Sequence, residues 1–406
     1  MAALPPGPPG LPLLGNILDF RRDTLGFLLE SSRAHGDVSL YRLGRDDVYL
    51  LRHPDHIKDV LVTHQHSFAK GKGIQWAKLF LGEGLLTSEG EFHTRQRRLA
   101  QPAFHRQRIA TYGEAMTAHA LRCRGGLSHG QELDIHAEMM SLTLAVAAKT
   151  LFDADVQTEA PEIAESLGII IGFFPRFALP FASLLQKLPL PGNARFDRAV
   201  ALLDRIVYRI IAERRAGGED RGDLLSMLLV ADDVEGDGTG MTDRQLRDEV
   251  MTILLAGHET TANALTWTWY LIAQNPEAEA RFHAEIDGAL GGRAPTAGDL
   301  PALGYVERVF AESMRLYPPA WGIGRRALQD HAIGGYTIPA GGLVAMSPYV
   351  VQRDPRWWPE PDRFDPERFT PEAKAARPRF AYFPFGGGAR QCIGESFAWM
   401  EGVLLL

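Results

Sequence analysis

At 406 residues and 45% hydrophobic content, the chain can bury a large core, in one big domain or a few ordinary ones. Its 50 acidic side chains outnumber 43 basic ones, for a net charge of −7, which argues against nucleic acid as a partner. Two cysteines, Cys123 and Cys392, cannot make a disulfide framework, so a reducing compartment, the cytoplasm, is expected.

The lead, residues 1–16, is proline-rich and has neither a basic n-region nor a long apolar run. It reads as an extended polyproline segment, with no signal peptide and no membrane anchor expected. Val38 to Leu43 and Val48 to Leu51 are β-type runs separated by Gly-Arg-Asp-Asp, which predicts a hairpin. His93 and Arg97 stand one helical turn apart in a basic stretch with Lys70, Lys72, Arg95, Arg98, Arg106 and Arg108; such runs are usually solvated faces. Cys123, flanked by arginines, reads as a small buried hydrophobe. Ser166 to Leu185 is apolar enough to suggest a membrane span, but Pro175, Arg176 and Pro180 point to broken apolar helices instead.

The longest helix has the clearest start. Thr242 with Gln245 forms a capping-box pattern, and Met241 with Leu246 has the spacing of a hydrophobic staple. Nothing breaks the helix before Asn275-Pro276, so it spans about 33 residues, or roughly 50 Å. Its middle, Ala256-Gly257-His258-Glu259-Thr260-Thr261, is locally poor helix, because glycine costs about 1 kcal/mol relative to alanine and threonine hydroxyls compete for backbone carbonyls. His258-Glu259 begins the zinc pattern His-Glu-x-x-His, but position 262 is alanine and the second ligand is missing.

Glu312 and Arg315 face each other at i and i+3. Alone they would read as a surface bridge worth under about 1 kcal/mol. Val306, Val309, Phe310, Met314 and Leu316 leave little polar face, so the pair is expected to be buried, where removing one partner costs about 3 to 5 kcal/mol. A second β-type region runs from Ala332 to Met346. Helical patterns dominate the rest, which gives an α+β class, mainly helical, with a large helical body and small sheets. No linker divides it, so residues 1–406 are expected to form a single domain.

Near the end stands Phe385-Gly-Gly-Gly-Ala-Arg-Gln-Cys392-Ile-Gly394, followed by an apolar stretch to Leu406 that reads as a helix. Glycines let a backbone turn tightly and aim its N–H groups at one acceptor. A sulfur at a helix N-terminus is favoured as thiolate, the metal-binding form. A phosphate loop would need Lys-Ser or Lys-Thr after its last glycine, and here Arg-Gln-Cys-Ile stands instead.

This stretch resembles the haem-binding loop of the cytochromes P450, the haem-thiolate monooxygenases, and the resemblance extends back to the proline-rich lead. It implies that fold around a buried haem b (iron protoporphyrin IX), with Cys392 as the axial iron ligand and Phe385 in the same loop. The segment around Gly257 looks like the family's oxygen-binding stretch, where the helix is widened; Glu259 and Thr260 then take the acid and hydroxyl roles that relay protons to dioxygen. Thiolate donation from Cys392 would favour O–O cleavage from the other side. Glu312 and Arg315 resemble the family's Glu-x-x-Arg motif, and Pro366-Glu-Arg368-Phe369 resembles the segment whose arginine completes a network holding the cysteine loop. His93, Arg97, Arg325 and Arg390 fall where the family binds the haem propionates, which need cationic donors; Arg326 could exchange roles with Arg325.

The implied activity is insertion of one oxygen atom of O2 into a hydrophobic small molecule, by hydroxylation or epoxidation. Electrons would come from a separate ferredoxin or flavodoxin with its NAD(P)H-dependent reductase, because one spare cysteine cannot ligate a cluster. The basic stretch would steer such an acidic partner. The family places its substrate entry at residues 166–185 and its pocket at Trp76 to Leu86, Leu254 to Ala256, and Ala320, Trp321 and Ile323. These residues are mainly apolar, so a fatty acid, terpenoid, steroid or polyketide is expected, handled by a monomer without a stable membrane anchor. Two alternatives stand beside this: a peroxygenase or isomerase, against which the intact Glu259-Thr260 pair argues, and a non-catalytic haem sensor, which would need no lidded apolar pocket. Relatives continue past the helix after the cysteine, so C-terminal strands beyond Leu406 are expected to be missing.

Overall fold

The computed structural model describes residues 4–154, 159–173, 185–186, 188–217, 221–231 and 239–406. Of the expected apolar lid, Ser166 to Phe173 form the end of the helix Ala160–Phe173, whereas 174–184 lie outside the described residues. The chain falls into two compact units, one of residues 1–76 and 311–392, the other of residues 77–310 and 393–406.

The first unit is built on a five-stranded sheet. Its strands are β1 (Val38–Leu43), β2 (Asp46–Leu51), β3 (Phe68–Lys70), β4 (Ile323–Ala327) and β7 (Leu343–Met346); β5 (His331–Ile333) and β6 (Tyr336–Ile338) pair separately. The strand order is β1-β2-β7-β4-β3. The hairpin expected from the sequence is β1 and β2, antiparallel, turning at Gly44 with φ +64°. β2 then pairs parallel with β7, Val48 against Leu343, and β4 lies antiparallel to both β7 and β3.

Successive strand residues face opposite sides, and here both sides are covered. Tyr49 and Leu51 join one core with Ile57, Leu61, Phe68 and Phe380, while Val48 and Leu50 join another with Leu28 of the helix Thr24–His35. That is why β2 reads as a nearly continuous apolar run. Leu50 and Leu51 are 0% exposed, each stabilising the fold by about 1.5–3 kcal/mol relative to exposure.

The second unit is helical. Its longest helix, Asp243–Gln274, has 32 residues and begins with the expected capping box: the Thr242 N–H donates to Gln245 Oε1 at 2.8 Å, and the Gln245 N–H donates to Thr242 Oγ1 at 3.3 Å. It packs against the helices Ile135–Phe152, Pro191–Gly217 and Glu395–Leu405. The last of these begins at Glu395 rather than at Ile393, because residues 392–394 still belong to the turn. Gly402 lies so close to Phe310 that a Cβ there would sit 2.3 Å from the ring. No helix among the described residues is long and apolar enough to cross a membrane.

Candidate active site

In the first unit, the cysteine loop is fixed by its own backbone. Gly386 and Gly388 have φ of +71° and +70°, and a Cβ on Gly388 would meet the Leu61 carbonyl at 1.9 Å, so only glycine serves there. The Cys392 N–H donates to the Phe385 carbonyl at 2.9 Å, and the Ala389 N–H donates to Gln65 Oε1 at 2.6 Å. These bonds tie the loop to itself and to the segment after β2, and they leave Cys392 exposed. Ile323, which opens β4, lies against the same loop, 3.6 Å from where a Gly386 Cβ would be.

Arg325 follows on β4, directly opposite Lys70 of β3, which is only 8% exposed. Two cations paired across a ladder suit an anionic ligand between or beside them. Lys70 was not singled out for this by sequence, since three-residue β3 carries no strand signal of its own. Arg390, in the loop, is half-buried, while Ala320 and Trp321 are exposed just ahead of β4.

A buried polar network stands behind the loop. Glu312 and Arg315 have 0% side-chain exposure and meet at two points, Nε to Oε2 at 2.7 Å and a second guanidinium nitrogen to Oε1 at 2.8 Å. The Asp365 N–H donates to Glu312 Oε1 at 2.9 Å, and Arg368 Nε lies 3.5 Å from the same oxygen. Arg315 also donates to the carbonyls of Gln352, Pro361 and Arg363, and the Phe383 N–H donates to Gln352 Oε1 at 3.3 Å. The chain of contacts therefore runs from Glu312 to within two residues of Phe385. Burial pushes the Glu312 carboxyl up, opposed first by its hydrogen bonds to Arg315.

In the second unit, the middle of the long helix continues without interruption through residues 256–261, with no widened turn. The threonines adapt to it by bonding back one turn: Thr260 Oγ1 donates to the Ala256 carbonyl at 2.7 Å and Thr261 Oγ1 to that of Gly257 at 3.3 Å. Ala256 and Thr260 are exposed on one face, while Leu254 is buried. Burial raises the Glu259 carboxyl above its ordinary value, against a small opposing pull from His136. His258 is a core residue: it is 0% exposed, its Nδ1 bonds the Leu254 carbonyl at 2.9 Å, and burial lowers its pKa. His93 (5% exposed) and half-buried Arg97 share the helix Gly90–Ala100.

The same unit holds a functional candidate that sequence reasoning missed. Glu401, in the helix Glu395–Leu405, is 0% exposed, and neither carboxyl oxygen has a hydrogen-bond partner. The Thr261 hydroxyl, which donates to the Gly257 carbonyl, also opposes the effect of burial on this carboxyl. Burial pushes the Glu401 carboxyl up to about 8. One acid inside the apolar run from Ile393 to Leu406 was the available signal.

The basic stretch is more committed than a solvated face. Lys70 is buried, Lys72 pairs with Asp46 at 2.5 Å, and Arg95 donates to the Thr239 carbonyl at 2.7 Å. The Arg106 side chain lies outside the described residues.

The two cysteines differ in what they can hold. Cys123 is half-buried with Sγ 3.9 Å from a Glu138 carboxylate oxygen, and burial, then that charge, pushes its thiol up. Cys392 is exposed on a glycine loop just ahead of a helix, a setting that favours thiolate. A single exposed sulfur of this kind fits the axial position of a haem and not a cluster needing four. The family model described as Cytochrome P450 matches residues 5–406. The chain belongs to the cytochrome P450 family. Cyclooctatin synthase of Streptomyces melanosporofaciens is 46% identical over 401 residues, covering 98% of this chain and 87% of that protein. Cyclooctat-9-en-7-ol 5-monooxygenase of the same organism is 41% identical over 401 residues, covering 98% and 86%. Among solved structures, a retinoic acid-bound cyanobacterial CYP120A1 superposes with a TM-score of 0.88 at 29% identity, over 100% of this chain and 91% of that one. This P450 is therefore a haem-thiolate monooxygenase acting on a hydrophobic molecule, and its family draws electrons from redox partners.

Proposed function

We propose that this P450 hydroxylates a cyclic terpenoid, with Cys392 as the axial ligand of haem b. The observation that carries the ligand assignment is the contrast between the two thiols: one buried beside a carboxylate, the other exposed on a rigid glycine loop. The substrate class rests on the relatives at 41% and 46% identity, whose names carry cyclooctat-9-en-7-ol and cyclooctatin. When bound, the haem supplies activation of dioxygen and transfer of one of its atoms to carbon.

The chain's own residues supply the rest. The Gly386 to Gly388 turn and the bonds to Gln65 and Phe385 hold the Cys392 sulfur at a fixed place. Arg325, Lys70, Arg390, His93 and Arg97 offer cationic donors suited to the two propionates. Glu259, with its raised pKa, retains a proton to higher pH than an ordinary carboxyl, next in sequence to Thr260. Because the Thr260 hydroxyl donates to Ala256, its lone pairs remain to accept a hydrogen bond from a water on the face that Ala256 and Thr260 share. Leu254, Ala256, Ala320, Trp321 and Ile323 supply apolar surface to orient a terpenoid. Glu312, Arg315 and Arg368 serve as positioning residues for the cysteine loop. A ferredoxin or flavodoxin with an NAD(P)H-dependent reductase delivers electrons, and the enzyme works as a cytoplasmic monomer.

Two experiments test this. The dithionite-reduced protein under carbon monoxide should show the strongly red-shifted Soret band of a thiolate-ligated haem, absent in Cys392→Ser; a histidine-type band in the wild type would refute the ligand assignment. Supplied with a ferredoxin, its reductase and NADH, the enzyme should add one oxygen atom from isotopically heavy dioxygen to a cyclic diterpene alcohol. Turnover of fatty acids with no binding of terpenoids would refute the substrate class, and turnover with peroxide but never with the reductase would refute the electron route.

A further inference from the structure

In the first unit, away from these roles, Asp59 and His64 flank a single π-type turn, Asp59–Thr63, closed by the His64 N–H donating to the Asp59 carbonyl at 2.8 Å. On an α-helix, side chains five residues apart point about 140° away from each other. The wider turn brings these two to the same side, with Asp59 Oδ1 2.6 Å from His64 Nδ1. A third member arrives from β5, where His331 Nε2 lies 2.6 Å from Asp59 Oδ2. One nitrogen from each imidazole and one carboxylate oxygen thus all lie within 4.8 Å of one another.

The cluster is preorganised. The His331 ring meets the edges of the Phe68 and His64 rings, each at a centroid distance of 5.0 Å, and its backbone is paired to Ile338. Side-chain exposure rises from 10% at His331 through 27% at Asp59 to 51% at His64, so one side is closed by protein and the other opens to water. Turns of the π type occur often at functional sites.

We propose that Asp59, His64 and His331 bind a divalent late first-row transition metal ion, for which Zn2+ is the best match to two imidazoles and a carboxylate. Water would complete the coordination on the open side. On binding, any proton shared between Asp59 and each imidazole leaves, and the ion takes the freed lone pairs. The nitrogen–oxygen separations widen from 2.6 Å to about 3.3 Å, the edge of a tetrahedral zinc site, and the exposed His64 ring has room to make that move. The ion would link Asp59 to His331, 272 positions away in sequence, and would seat itself beside Gln65, which bonds the cysteine loop. An ion held only by the folded chain raises its thermal midpoint.

The test uses the full-length holoenzyme, freed of metals with a chelator and titrated with Zn2+ by calorimetry. The wild type should take up one equivalent and melt at a higher temperature in excess Zn2+. His64→Ala and His331→Gln should each weaken uptake by about tenfold or more and remove the thermal shift; His64 is half exposed, so its variant keeps the fold. His53→Ala, in the nearby His53 and His56 pair, should change neither. No saturable uptake by the wild type, or uptake that survives in the His64→Ala, His331→Gln double variant, would overturn the proposal and leave the cluster a hydrogen-bonded bridge.

Discussion

Among the described residues of this P450, Glu249, Glu312 and Glu401 are all sealed from water, and Glu312 in one unit and Glu401 in the other have opposite surroundings. Glu312 meets Arg315 at two points and accepts from the Asp365 N–H as well. Glu401 has no ion-pair partner among the described residues, and the one polar group that acts on it is the Thr261 hydroxyl, whose pull is weaker than that of burial. A guanidinium went into the core with the first carboxyl, and its hydrogen bonds oppose the upward push of burial. The second cannot keep its charge without a partner, and so keeps its proton instead. Burial alone does not decide what a carboxyl does. The polar groups buried with it do: one arrangement is a bonded network, the other a carboxyl that holds its proton up to about pH 8.

Removing the partner charge is the strongest way to break the contrast. Glu312→Gln leaves the Arg315 guanidinium buried without its carboxylate counter-charge and should cost about 3–5 kcal/mol, read as a lower urea midpoint. Arg315→Lys should lose nearly as much, since an ammonium cannot span two carboxylate oxygens. Both should also lower the fraction of protein showing the thiolate-type carbon monoxide spectrum, because the network reaches Phe383.

Glu401→Gln should act in the opposite direction. The folded carboxyl titrates at about 8 against an ordinary 4.5. Between those values the unfolded chain has ionised while the folded one still holds its proton, so stability falls as pH rises through that window and levels off above it. The ceiling of this loss is about 5 kcal/mol, and relaxation of the interior reduces it to roughly 2–3 kcal/mol. The glutamine variant should therefore match the wild type at pH 4 and exceed it at pH 9. Parallel stability curves in urea at both pH values would show instead that Glu401 finds a partner in solution.

This contrast also shows what the sequence could reveal. The hairpin, the capping box at Thr242 and the long helix were legible because each is specified by neighbours in sequence. β4 was not: with Gly324, Arg325 and Arg326 it has no apolar alternation, and it becomes a strand only by pairing with β7 and β3. The burial of Glu312 was readable from the apolar residues around it. The absence of any cationic partner for Glu401 depends on which side chains meet it in space. Asp59 and His64 were equally invisible, because a spacing of five has no shared face until the π-type turn creates one.

A finer adjustment comes from Thr261, which is 4% exposed. Its presence lowers the Glu401 pKa, against the larger effect of burial. Thr261→Ala removes the hydroxyl bond to Gly257 at 3.3 Å and should cost about 1 kcal/mol. It should also extend the falling limb of the stability curve to higher pH, a shift that Thr261→Ser should largely restore.

The smallest expected effect tests the helix on which that hydroxyl rests. A Cβ at Gly257 would stand 3.7 Å from Leu151 Cδ1 and 3.9 Å from Ala147 Cβ, ordinary contacts with the helix Ile135–Phe152. Nothing in this arrangement requires glycine, so Gly257→Ala should stabilise the enzyme by up to about 1 kcal/mol through helix propensity. The added methyl points toward Leu151 and Ala147, whereas Ala256 and Thr260 are the exposed residues of this turn. If the helix works in the uninterrupted form seen here, turnover is unchanged while the thermal midpoint rises. If turnover falls while the midpoint rises, the glycine is kept for a widened turn that forms only during the reaction, and the helix pays for that opening in resting stability.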